Sequence, residues 1–201
     1  MGPSLHSWES LLKQRAYPFL SQGRLGDWGH TLRVVALGKA LAGEEGGDQE
    51  ILLAALVLHD IGWSQVDFGD FVQAPMFEKK DAQSVKDHMV RSADLAREIL
   101  KELDFPSEKT ELVLRIIAHH DQPEVILSMP EIEATVVFEA DRLDRYGEES
   151  RRRYQEMFGM EFQQDGREHL LQGAKVWFRT PTGKRMVQKL LAQGLSAGEA
   201  L

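Results

Sequence analysis

Apolar residues recur every three to four positions along nearly the whole chain, the spacing of helices that bury one face. The pattern predicts a first helix from a Ser7 cap to about residue 20. A second runs from an Asp27 cap to about residue 42, ended by Gly43 and the EEGG loop. A third is expected over about residues 48–60, where ILLAALVL is apolar on every side and runs straight into His59 and Asp60. Residues 61–78 carry glycines, a proline and aromatics without a period, and read as an ordered loop or short turns. A long fourth helix follows over about 79–103, with Pro106 as the next break. The fifth covers 107–120 and is stopped by Asp121-Gln122-Pro123; the sixth covers about 130–146, with Pro130 in its first turn. Residues 148–201 read as two or three more helices, broken near Gly159, Asp165-Gly166 and Pro181-Thr182-Gly183. TVVF at 135–138 resembles a strand but is too short to stand as one. The expected class is all-α, in one domain over 1–201 without internal repeats.

Composition narrows the chemistry. The 201 residues are 42% hydrophobic and 28% charged, enough apolar material for a sizeable core. A formal net charge of −8 argues against a nucleic-acid polymer as partner, which needs a basic face. It leaves room for a small anion held by a few local cations. Cysteine is absent, so a metal ion would be held by His, Asp, Glu or water. Such a nitrogen and oxygen shell suits Mn, Fe, Ni, Co, Mg or Zn. MGPSLHSWESLLKQ lacks the pattern of a signal peptide, and no run reaches the roughly 18 apolar residues of a membrane span. The cytoplasm is the expected compartment, with no membrane partner.

Seven histidines then change the picture: His6, His30, His59, His88, His119, His120 and His169. A lone histidine on an apolar face is usually a satisfied core residue. Several that converge are not. His30 opens a stripe with Val34, Leu37 and Leu41; His88 shares one with Val85, Ser92, Ala96 and Ile99. Leu112 and Ile116 precede His119 and His120, while Ala134 and Val137 lead to Asp141 and Asp144. With His59-Asp60, five segments aim imidazoles or carboxylates inward. Burying so many unpaired polar groups is costly, and a divalent cation satisfies them together. A structural His–Asp hydrogen-bond network is the alternative.

The order His30, His59-Asp60, Asp141 resembles the HD-domain metal-dependent phosphohydrolases. GDWGHTLRV at 26–34 looks like that family's opening helix, LHDIGW at 58–63 like its name-giving doublet, and EADRLDRYG at 139–147 like its closing aspartate segment. The resemblance covers about 26–147 and leaves 148–201 as a helical extension. It implies a helical bundle with a metal near its middle, held by His30, His59, Asp60 and Asp141. His88, His119 and His120 are similar to the extra histidines of binuclear branches, so one or two ions per chain are implied. The branch that opens cyclic dinucleotides has such histidines, but its GYP segment is absent here. Trp63 also stands where lysine often follows HDIG.

The implied activity is hydrolysis of a phosphomonoester or phosphodiester by metal-activated water, on a small phosphorylated compound such as a nucleotide. Asp60, His88 and His119 are the candidate catalytic groups. With two ions Asp60 would bridge them; with one, His88 or His119 would protonate the leaving oxygen. Arg33, one turn from His30, and Arg142, beside Asp141, are the candidate phosphate contacts. Trp63, Phe68, Phe71, Met76 and Phe77 either close over the site or pack their loop onto the bundle. Two other classes use the same ligands: a di-iron oxygenase of the HD fold, and a metal-stabilised regulatory module without turnover. The reading is compatible with a homodimer.

Overall fold

The apolar spacing folds into helices. The computed structural model describes residues 4–158 and 162–197, and no strand occurs among them. In chain order the helices are α1 (Leu5–Leu20), α2 (Asp27–Glu45), α3 (Gln49–Leu58), α4 (Gly69–Gln73), α5 (Gln83–Glu102), α6 (Ser107–His119), α7 (Pro123–Ile126), α8 (Ile132–Asp144), α9 (Glu148–Phe158), α10 (Phe162–Val176) and α11 (Pro181–Ala197). Two 3₁₀ turns, Ile61–Gln65 and Met76–Asp81, flank α4. TVVF lies inside α8, where its valines and phenylalanine face the core.

Helix α3 sits in the middle because its sequence leaves it no polar face: residues 51–58 are all buried. The Asp48 carboxylate caps it, accepting from the N–H groups of Glu50 (2.9 Å) and Ile51 (3.2 Å). Helices α1, α2, α6 and α8 pack around it, and α2 also lies along α8. The Ile61–Gln65 turn docks on α5 at Gly62. A Cβ at Gly62 would overlap the backbone of His88 and Ser92, so only glycine permits this approach. The Gly62 N–H donates to Ser92 Oγ at 2.8 Å, which holds Asp60 and Trp63 against α5.

Several boundaries differ from the sequence reading. Ser4, not Ser7, caps α1: its Oγ accepts from the Ser7 N–H at 3.3 Å. Asp27 lies in the first turn of α2, behind Gly26 at φ 74°, and its carboxylate serves Arg24 and Arg153 instead of the helix end. Gly43 is carried inside α2, since one helical glycine costs only about 1 kcal/mol. Residues 79–81 belong to a 3₁₀ turn, so α5 starts later than expected. Pro130 precedes the α8 cap Glu131 and so lies outside the first turn. Helix α10 runs through Asp165-Gly166 without a break. The break expected at Gly159 lies outside the described residues.

Helices α10 and α11 are tied to the rest by polar contacts. The Glu139 carboxylate on α8 accepts from the N–H of Arg179 (2.5 Å) and of Thr180 (2.8 Å), just before α11. Glu45 accepts from the Thr182 N–H at 2.8 Å, and the Tyr146 hydroxyl donates to the Leu170 carbonyl on α10 at 2.8 Å. No described helix is long and apolar enough to cross a membrane.

Candidate metal centre

Helices α3 and α6 end alike. Each delivers a histidine at its C-cap, His59 and His120, followed by an aspartate. Each imidazole donates Nδ1–H to the carbonyl three residues back, Leu56 at 3.0 Å and Ile117 at 2.8 Å. A carbonyl only accepts, so Nδ1 carries the proton and the Nε2 lone pair faces the centre. Helix α2 contributes His30, whose Nδ1 lies 2.7 Å from Asp144 Oδ2, and α8 contributes Asp141. Helix α5 contributes His88, fully buried and stacked on the Trp63 ring at 4.0 Å.

Asp60 stands between two imidazole pairs. Its Oδ2 is 3.5 Å from Nε2 of both His30 and His59. Its Oδ1 is 3.5 Å from Nε2 of His88 and 3.4 Å from that of His120. Asp141 Oδ1 closes the first group, 3.2 Å from His30 Nε2 and 3.9 Å from His59 Nε2. Asp121 Oδ2 closes the second, 3.6 Å from His88 and 3.7 Å from His120. Within each pair the Nε2 atoms approach to 3.4 Å (His30, His59) and 3.2 Å (His88, His120). Lone pairs that close repel unless a proton or a cation lies between them. The His88 Nδ1 finds no hydrogen-bond partner among the described residues, unlike the Nδ1 atoms of His30, His59 and His120. The donor set of buried neutral nitrogens and carboxylates therefore fits divalent ions in both groups.

Without metal the same atoms must share protons. Burial works to lower the His30 pKa, but its bonds to Asp141, Asp144 and Asp60 raise it well above the usual range. Burial is likewise overcome at His120 by Asp60 and Asp121, which push it up to about 9. Burial wins at His59 and His88 and lowers both. Asp60 is held well below the carboxylate range, against its burial, chiefly by the Arg24 charge. A raised histidine pKa stabilises the metal-free fold below the ordinary value of about 6.5. That contribution is lost as pH climbs through about 9 at His120. Ions must displace these protons. Loading with a divalent metal near neutral pH is expected to release protons, and apparent affinity to rise as pH increases toward about 9. Calorimetry in buffers of different ionisation heat reads the release directly; proton uptake, or none, contradicts it.

The HD domain family matches residues 27–146, more than half of the chain. This chain belongs to the HD domain family. No curated protein and no solved structure matches it. The HD doublet is His59-Asp60, at the end of the central helix.

The HD fold brings His30, His59, Asp60, His88, His120 and Asp141 together around one point. It does not bring His119 there. That imidazole is half-buried, its Nδ1 2.9 Å from Gln122 Oε1, and it joins neither group among the described residues. Its place is taken by Asp121, which the sequence reading treats only as a helix stop. The available signal is the repeated ending: Asp121 follows His120 as Asp60 follows His59. Arg33 is turned to Asp144, its Nε 2.7 Å from Oδ1, and braces the carboxylate behind His30. Arg142 reaches Asp141 Oδ2 (2.9 Å) and Asp121 Oδ1 (2.7 Å), and Arg145 grips the same two aspartates. Arg24, which no local pattern marks, places Nη2 2.6 Å from Asp60 Oδ2 with its guanidinium over Trp63. Above these groups opens a cavity of about 460 Å³, lined by Arg24, Trp63, Asp121, Arg142 and Arg145 on the metal side. Phe71 and Phe77 from the 61–78 segment reach its wall; Phe68 packs behind Trp63.

Proposed function

We propose that this HD protein is a phosphohydrolase that binds two divalent ions and cleaves a phosphate ester of a small molecule. The carrying observation is the two-sided Asp60, whose oxygens each face one imidazole pair. Support comes from the cavity above it, where Arg24, Lys79, Lys80, Arg142, Arg145 and Arg179 supply positive charge despite the acidic chain. Bound ions would supply charge neutralisation at phosphorus and a water acidified toward about neutral pKa. Arg142 and Arg145 hold the outer oxygens of Asp141 and Asp121 and so turn the inner ones toward the centre. Arg24 orients Asp60 and presents a planar cation to a phosphate entering from the cavity. On this reading His88 is a ligand rather than a proton donor, and His119 takes no part.

The test is metal content per chain after purification without chelator, with hydrolysis of a panel of phosphate esters measured aerobically and anaerobically. Two ions and chelator-sensitive, oxygen-independent phosphate release are expected. Oxygen-dependent turnover with two irons would replace this reading by the oxygenase. Metal binding without turnover of any ester would replace it by the regulatory module.

A further inference from the structure

We infer that the outer wall of the cavity is a subsite for a planar aromatic ring carried by the substrate, built by Trp177, Phe77 and His169. The inference rests on the phosphohydrolase reading for the anion at the cavity floor, and adds what lies beyond it. Trp177 follows the last turn of α10, its N–H bonded to the Gly173 carbonyl at 2.9 Å. A Cβ at Gly173 would overlap the Trp177 ring, so the glycine lets the indole lie back along the helix. The guanidinium groups of Arg142 and Arg145 lie 5.5 and 5.9 Å from that ring's centroid. These arginines also pair with Asp121 and Asp141, so the aromatic wall is continuous with the metal centre. The His169 ring stands edge-on to Trp177 at 5.1 Å and to Phe77 at 5.6 Å.

Three features say that a ring, and not solvent alone, belongs there. The cavity, at about 460 Å³, is in the size range of sites that enclose whole small molecules, far more than a phosphate group needs. Phe77 is 40% exposed at its rim, an aromatic surface that a stacked ligand would cover. Burial, with the Arg145 charge, holds His169 down to about 4. Its imidazole is therefore neutral and presents hydrogen-bonding nitrogens without opposing an uncharged ring. Trp177 and His169 both lie beyond residues 27–146, so two of the three aromatic groups come from the part of the chain added to the HD domain.

The experiment compares two non-hydrolysable probes with one headgroup, phenylphosphonate and methylphosphonate, binding to the Mn²⁺-loaded full chain by calorimetry. Stacking on an aromatic wall should make the phenyl compound about tenfold tighter. Trp177→Ala and Phe77→Ala should each cut that preference to about twofold or less, and Phe77→Ala should leave methylphosphonate affinity unchanged. Phe77 is exposed enough for its substitution to leave folding intact. Equal affinities in the unmodified protein, no binding of either probe, or a preference that survives both substitutions overturns the subsite. A ring preference kept in a protein that hydrolyses no phosphate ester leaves the subsite standing and removes the phosphohydrolase reading. Ester hydrolysis without ring preference does the reverse.

Discussion

Replacing Asp60 by alanine should empty both metal positions at once and abolish turnover. Each of its oxygens faces a different pair of imidazoles at 3.4–3.5 Å, so one substitution removes a carboxylate ligand from both groups. Residues that only orient metal ligands cost about 10–100-fold in affinity when lost. A ligand shared by two ions should exceed that, and activity should fall by at least ~10³-fold. Asp60 also accepts from Arg24 at 2.6 Å and from the Trp63 indole at 3.1 Å, so its loss leaves buried donors unpaired. Asp60→Asn keeps the shape and one acceptor, and separates lost ligation from lost folding. Both variants should give a helical circular dichroism spectrum and no stoichiometric metal. Metal-dependent turnover retained in either would sink the assignment. His169→Ala, by contrast, should leave metal content unchanged.

What the sequence showed of this centre follows from how local each feature is. The run ILLAALVLHD announces both a fully buried helix and a polar pair at its end, because burial all round the helix needs only neighbouring residues to be apolar. The choice between His119 and His120 is also local, but consecutive histidines blur it. His120 follows buried Ile116 and Ile117, while His119 follows half-buried Leu112 and exposed Arg115. Asp121 is hidden by its second job, since an aspartate two residues ahead of a proline is ordinary turn chemistry. Arg24 and Asp60 are 36 residues apart, and no periodicity encodes such a pairing.

The same holds for helix α9, which lies outside the family match yet reaches both imidazole pairs. The Ser150 hydroxyl donates to Asp144, the partner of His30. Arg153 pairs with buried Asp27, which pairs with Arg24, which holds Asp60. In the sequence the run Arg151-Arg152-Arg153 looks like one solvated face. Arg153 is instead 7% exposed, its charge matched by an aspartate 126 residues away. Neutralising a buried carboxylate is a tertiary event. Composition records the charges but not which of them meet.

His120→Ala is the sharper test of two ions against one. It removes a nitrogen from the second group and leaves His30, His59, Asp60 and Asp141 in place. Metal content should drop from two ions per chain to one, and turnover by ~10²-fold or more if both ions act on the phosphate. In the metal-free protein the substitution also deletes a cation whose pKa is raised to about 9 beside Asp60 and Asp121. The variant should therefore lose stability near neutral pH, by roughly 2–3 kcal/mol, the worth there of a pKa raised from about 6.5 to about 9, and less above pH 9 where His120 is neutral anyway. His119→Ala is the matched control, one residue away and hydrogen-bonded to Gln122, and should change neither metal content nor rate. An unchanged ion count in His120→Ala would remove that residue from the shell. Loss of an ion in His119→Ala would show that α6 turns its other histidine inward when metal is bound.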